Sequence, residues 1–205
     1  MGRGKVATRN LDKIHGKQIV LDTSIIIFFA DKDFRGQIGA AVNQLETQGN
    51  ELFVSEVTLY ELNKVSRTAA DMAAKSRILE RFSPLPLTQN RFAFAGLLYS
   101  VMKGCQSDFK NKENDIGCDM IIGGTVVENN TALLMTTNVN DFRFPCWKTL
   151  AEGRVTKKSK GGGWVLENWY LLEFDYSKMP REFLSDELAE RYYGGQATLL
   201  LPSAP

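Results

Sequence analysis

Three short apolar runs constrain this chain more than any other feature. Gln18–Asp22, Leu52–Ser55 and Ala132–Thr136 are each only four or five residues long, built around Ile, Val, Leu and Phe, and bounded by polar residues. Runs of that length without alternation read as strands buried on both faces of a parallel sheet. The spacing between them is helical: it predicts helices over Thr23–Ala30, Ile38–Gln48, Glu56–Val65, Thr68–Phe82, Arg91–Lys103 and Asp115–Asn129. Gly49-Asn50 and Gly104 close two of these elements, and Pro84 with Pro86 enforces an extended link. Strands alternating with helices give an α/β architecture with a mostly parallel central sheet. After Trp147 the rhythm changes, to one or two strands over Trp164–Phe174, a helix over Pro180–Tyr193 and an extended segment over Ala197–Leu201. The division expected is a basic N-terminal tail over 1–17, a core over 18–147, and a C-terminal extension over 148–205 that packs on the core as an appendage.

Composition narrows the chemistry. In 205 residues there is one histidine, His15, inside the basic N-terminal stretch, which argues against a Ser-His-Asp triad or a two-histidine zinc site. Cys105, Cys118 and Cys146 are odd in number and contain no CxxC pair, which suits reduced thiols and neither a zinc ribbon nor a disulfide framework. Catalysis here therefore has to rest on carboxylates. The most apolar early run, Ile19–Ala30, is interrupted by Asp22 and is too short and polar to span a membrane. No signal-peptide pattern precedes it, so a cytoplasmic location is expected, with no membrane partner.

The net charge of +1 conceals segregation. Residues 1–17 carry Arg3, Lys5, Arg9, Lys13 and Lys17 against Asp12; Arg154, Lys157, Lys158 and Lys160 form a second basic run beside Gly161-Gly162-Gly163. Each run reads either as a solvated surface or as a phosphate-contacting one. Trp164 and Trp169 nearby read either as core of the extension or as stacking surfaces for bases.

Ligands of parallel α/β sheets bind outside the carboxyl ends of the strands. Asp22 closes the first strand there, and Asn138 and Asp141 follow the third. Asp119 opens the helix before the third strand, and Glu61 lies in the helix after the second. One rim can gather all of them, but each has a structural alternative: Asp22 and Asp115 as helix caps, Asp119 as an early-helix acid favoured by the macrodipole, Glu61 as a solvated helix residue, Asp141 as a turn residue.

Taken together, Ile19-Val-Leu-Asp22-Thr-Ser-Ile, Val54-Ser-Glu-Val-Thr58-Leu-Tyr-Glu61-Leu, Asp119-Met-Ile-Ile-Gly-Gly-Thr and Leu134-Met-Thr136-Thr-Asn138-Val-Asn-Asp141-Phe142 resemble the four motifs of PIN-domain nucleases, in particular VapC-like toxins of toxin–antitoxin pairs. The resemblance covers roughly residues 18–147. Gly123-Gly124 stands where the family usually has an alanine pair, an exchange expected to be harmless, and Asn138 stands where a fourth acid is common. The resemblance implies a three-layer α/β/α fold and a metal-dependent endoribonuclease. Asp22, Glu61, Asp119 and Asp141 would be catalytic, and Asp22, Asp119 and Asn138 would hold Mg²⁺ or Mn²⁺, with Ser24 and Asp115 auxiliary. An all-oxygen donor set suits those ions, which relieve carboxylate repulsion and activate water for phosphodiester hydrolysis. The implied partners are an RNA substrate, a cognate antitoxin over an apolar groove near Ile25–Phe29 and Leu59–Val65, and a second copy of the chain in a homodimer. Arg154, Lys157, Lys158 and Lys160 are the candidate RNA contacts. Competing classes are an RNA-processing nuclease, a catalytically silent PIN-fold scaffold, and a receiver- or phosphatase-like domain using Asp22 as phospho-acceptor.

Overall fold

The computed structural model describes residues 8–105, 117–129, 132–142, 146–159 and 161–179, together with Arg181 and Asp186. In chain order the strands are β1 (Thr8–Arg9), β2 (Gln18–Leu21), β3 (Glu51–Ser55), β4 (Ser83–Leu85), β5 (Ala132–Thr136), β6 (Trp147–Lys158) and β7 (Trp164–Phe174). The helices are α1 (Thr23–Ala30), α2 (Arg35–Thr47), α3 (Glu56–Val65), α4 (Ala69–Leu79), α5 (Gln89–Cys105) and α6 (Gly117–Glu128). Among the described residues, the strands join one sheet in the order β1-β6-β7-β5-β2-β3-β4. Its centre is parallel, with β2 paired to both β3 and β5 and β4 added beside β3.

The apolar runs are strands because both faces of the sheet are covered. Ile19, Leu21, Leu133 and Met135 pack with α1 and α2 on one face, while Val20 and Leu134 pack with Ile122 and Val126 of α6 on the other. Full burial of an aliphatic side chain of this size contributes about 1.5–3 kcal/mol, so β2 alone is a large part of the core. The result is the α/β/α arrangement expected. Gly49, at φ 76°, closes α2 in the left-handed conformation that a side chain would strain. The Pro84 link does more than connect: it forms the short edge strand β4, a place where a missing N–H is tolerated.

The segment after Trp147 is part of the sheet. β7 pairs antiparallel with β5, and β6 pairs antiparallel with β7. Ala151, Val155, Trp169 and Leu171 enter the same core as β2 and α1. The basic stretch Arg154–Lys158, expected beside a glycine loop, is strand. The N-terminal segment is packed as well: Thr8–Arg9 pairs with β6, Leu11 and Ile14 are buried, and the Asn50 side chain ties Lys17 N–H (2.8 Å) to the Ile14 carbonyl (2.9 Å). Apart from Arg181 and Asp186, the helix expected over 180–193 and the segment over 197–201 lie outside the described residues.

The glycine pair in α6 is less interchangeable than the family pattern suggested. A Cβ on Gly124 would stand 2.6 Å from the Arg91 carbonyl oxygen and 2.8 Å from the Ala95 nitrogen, both backbone atoms of α5. The two helices are also joined by Arg91 and Glu128 at 2.5 Å. Gly124→Ala should therefore destabilise the fold by about 1–3 kcal/mol through overpacking. Gly96→Ala, on the exposed side of α5 with nothing within 4 Å, should leave stability unchanged or raise it by up to about 1 kcal/mol. Chemical denaturation midpoints of the two variants test the difference; equal midpoints would contradict the packing.

Candidate active site

β2, β3 and β5 run parallel and end at one rim. Asp22 follows the last residue of β2 and occupies the N-cap position of α1, but its side chain makes no capping bond. Capping alone therefore does not account for this aspartate. Instead the carboxyl is buried, 2% exposed, and Oδ2 accepts the Ser24 hydroxyl at 2.5 Å and the Thr136 hydroxyl at 2.7 Å. Thr136 arrives through strand register: Leu21 lies opposite Met135, so the next residues of two parallel strands end side by side. The Asp22 N–H donates to the Met135 carbonyl at 2.9 Å and holds that end of the pair closed.

Glu61 reaches the same place from α3. The Thr23 hydroxyl donates to its Oε2, and Thr23 Oγ1 lies 3.3 Å from Thr58 Oγ1, one turn before Glu61. From the other side the Cys118 thiol of α6 hydrogen-bonds Glu61. Burial pushes the Glu61 carboxyl up; the Thr23 hydrogen bond opposes this, and the charge of Asp22 pushes it up further. Asp22 is likewise raised by burial, against the Ser24 and Thr136 hydroxyls that lower it. Cys118 is pushed up to about 11 by burial and by the charges of Glu61 and Asp119, so it remains a thiol at neutral pH. Asp119 is half-buried in the first turn of α6, and the short connection from α6 into β5 brings that turn to the rim.

Asn138 and Asp141 form an adjoining corner. The Asn138 N–H donates to Thr136 Oγ1 at 2.9 Å, its side-chain amide donates to the Asp141 carboxylate, and the Thr137 N–H donates to Ser24 Oγ at 3.0 Å. The structure thus connects Asp22, Ser24, Thr136, Asn138 and Asp141 through hydrogen bonds, and couples Asp22 to Glu61 by charge. Asp115 lies outside the described residues. Thr136 and Thr58 were not singled out from sequence. The signal for Thr136 was a hydroxyl residue ending the third apolar run, in register with the aspartate ending the first.

The basic residues separate. Lys157 is engaged at 3.0 Å with Asp31 and lies 4.5 Å over the Phe34 ring. Arg154 is exposed on β6, with Nε 3.4 Å from Asn168 Oδ1. Lys13 and Lys17 precede β2 and so lie at the opposite edge of the sheet from the carboxylates. The Lys158 side chain, Lys160, Arg3 and Lys5 lie outside what is described. Trp169 is fully buried, which removes it as a stacking surface, whereas Trp164 is 69% exposed.

The donor chemistry fits a hard divalent cation, since carboxylates and hydroxyls converge and the one nearby sulfur stays protonated. Among the described residues, however, no three His, Cys, Asp or Glu side chains are grouped as a metal cage. The fit is of the sort Mg²⁺ uses, with one or two carboxylates and the remaining positions left to water and phosphate oxygens.

A model of the PIN domain matches residues 19–143, more than half of the chain, and the chain belongs to the PIN-domain family. No curated protein sequence matches it. Solved structures with a similar backbone include VapBC2 from Rickettsia felis bound to a DNA fragment from its promoter, at 18% identity and a TM-score of 0.45, covering 62% of this chain and 93% of that one. Another is DNA-bound VapBC from Salmonella typhimurium, at 19% identity and a TM-score of 0.44, covering 63% and 93%.

The raised carboxyls carry a signed consequence. A group whose folded-state pKa exceeds its unfolded value binds protons more tightly when folded, so stability falls as pH rises from the ordinary carboxylate range through the raised one. In metal-free protein, Asp22→Asn should raise the melting temperature at pH 7, and the gain should shrink towards zero as pH drops below about 4. Thermal unfolding in chelator across that range checks the sign; a variant less stable than wild type at pH 7 would contradict it.

Proposed function

We propose that this chain is a metal-dependent endoribonuclease, a hydrolase of the VapC-like kind that cuts RNA phosphodiester bonds. The observation that carries the reading is the buried Asp22 carboxylate coupled by charge to Glu61 at the open rim of the sheet. Two acids held this close cost free energy unless a cation offsets their repulsion. PIN domains are generally nucleases, and an acid pair with hydroxyl neighbours is a site for phosphate chemistry.

In this reading Asp22 and Asp119 hold Mg²⁺ or Mn²⁺, with Asn138 and Asp141 completing the corner. Bound there, the ion supplies Lewis acidity, lowering the pKa of a water and offsetting charge on the phosphoryl oxygens. Ser24 and Thr136 fix the Asp22 carboxylate in one orientation. Thr23 does the same for Glu61, whose elevated proton affinity suits it to take a proton from the attacking water. The Asn138–Asp141 pair, tied to Asp22 through Thr136, bounds the site on the β5 side.

The proposed partners are a single-stranded or looped RNA, a small antitoxin and a second copy of the chain. The antitoxin would cover the exposed apolar side chains Ile27, Leu59, Tyr60 and Val65; the adjacent Ile25, Ile26 and Phe29 are core and unavailable to it. Growth arrest on induced expression, relieved by the product of a neighbouring reading frame, would distinguish a toxin from an RNA-processing enzyme.

Labelled RNA incubated with the protein and Mn²⁺ or Mg²⁺ should be cut internally. Asp22→Asn and Asp119→Asn should each reduce the rate by about 10²-fold or more, the range expected for losing a group that positions or transfers a proton. Mn²⁺ should also raise the melting temperature of the wild type and not of Asp22→Asn, by linkage of binding to folding. Equal cleavage by all three proteins would sink the assignment of the site.

A further inference from the structure

β6 and β7 continue well past the rim. β5 ends at Thr136, opposite Tyr170, whereas β7 begins at Trp164 and β6 runs on to Lys158 opposite it. At about 3.3 Å per residue, the hairpin extends beyond the carboxylates by about 20 Å. Its inner face is fixed to the body of the protein. Val155 and Trp169 are in the core, and the Gln37 amide of α2 bonds both the N–H (3.0 Å) and the carbonyl (2.6 Å) of Thr156. Gly153 has no side chain because the Trp169 ring fills that space, 2.3 Å from where a Cβ would stand. The arm is therefore a rigid part of the sheet.

Its outer face is organised differently. Alternate residues of a strand share a face, and directly paired residues do too. Asp22 stands beside Thr136, Thr136 opposite Tyr170, Tyr170 opposite Glu152, and Glu152 opposite Arg9, so one row crosses five strands from the buried carboxylate to β1. A cleft of about 310 Å³ opens on this row, lined among others by Arg9, Glu152, Arg154, Asn168 and Tyr170. With strands about 4.8 Å apart, Tyr170 is about 10 Å from Asp22. Further along the same face, Trp164 is exposed.

We propose that this face is the docking site for the RNA strand flanking the scissile phosphate. Arg9 and Arg154 take phosphates, Tyr170 and Trp164 stack on bases, and the Asn168 amide meets a base edge. The inference rests on the nuclease reading, which it extends from the acids to the place where substrate lies. Guanidinium forks match phosphate geometry, and aromatic rings interleaved with them form the usual platform for single strands. Charge favours this occupant: Arg9 and Arg154 line the cleft against Glu152 alone. A protein-docking centre is typically depleted in charge, and this cleft is not. The Arg9–Glu152 pair, 3.7 Å apart and exposed, is weak enough to yield Arg9 to a phosphate.

The test measures binding of a labelled single-stranded RNA of about a dozen nucleotides to the full chain carrying Asp22→Asn, across a salt series. Adding Arg9→Ala with Arg154→Ala should weaken binding about tenfold and reduce the log–log salt slope by about 1.4, at about 0.7 for each phosphate no longer neutralised. Trp164→Ala should weaken it about tenfold with the slope kept. Glu152→Lys should tighten it severalfold at low salt, a gain that misfolding cannot imitate. Unchanged affinity and slope in all of them would overturn the docking site, as would variants that alter only self-association in sedimentation. Absence of metal-dependent cleavage by the wild type, with these binding shifts present, would instead remove the nuclease reading and leave the RNA face standing.

Discussion

A carboxylate buried at the end of a parallel strand is the constraint on which the rest of this structure turns. Asp22 cannot move outward without opening the end of the β2–β5 pairing, because its own N–H is bonded to the Met135 carbonyl. It cannot be accommodated in a dry site without donors, since unpaired buried charge is costly. Ser24 supplies one donor from the first turn of α1, and Thr136 supplies the other from β5. The second donor exists only while β2 and β5 keep their register, so the electrostatics of one side chain and the pairing of the central strands are a single condition. The same pairing places Thr136 to receive the Asn138 N–H, which starts the turn that carries Asp141.

The sheet extends that condition sideways. β5 is flanked by β2 on one edge and β7 on the other, so the residue that orients Asp22 also sets the rung occupied by Tyr170. Through β6 the rung continues to the N-terminal strand, and Leu11 and Ile14 anchor that strand in the core shared by α1 and α2. The segment beyond the family motifs is thus held in fixed relation to the acids by hydrogen-bonded strands. A hairpin attached by a linker would not have that property. Trp169 is buried against Gly153, Gln37 of α2 fastens the arm's backbone at Thr156, and Asp31 at the end of α1 fastens Lys157.

Much of the parallel core was legible because its signals are strong. α3 and β5 have the bounds that their spacing and apolarity predict, and Gly49 ends α2 for a reason visible in sequence. β6 was not legible, because its inward positions are Ala151, Gly153 and Val155: the alternation is present, but small residues make it faint, and the lysines obscure it. Gly153 has no side chain because Trp169, from the next strand along the chain, occupies that space. The glycine at 124 is a similar case; only the approach of the α5 backbone shows that an alanine would not fit.

For the candidate site, the sequence alone determined the inventory: carboxylates without imidazole or thiolate partners, placed where parallel strands end, in an order shared with PIN domains. It did so because strand ends and helix starts follow from local apolar patterning. Which acids carry charge into a buried place, and which are surface, was decided by tertiary structure. Asp22 is a buried acceptor of two hydroxyls, Glu61 is drawn in by Thr23 and Cys118, and Lys157 is engaged with Asp31. Each outcome depends on a partner many residues away, brought in by strand register or helix packing, and a linear pattern holds no record of that distance.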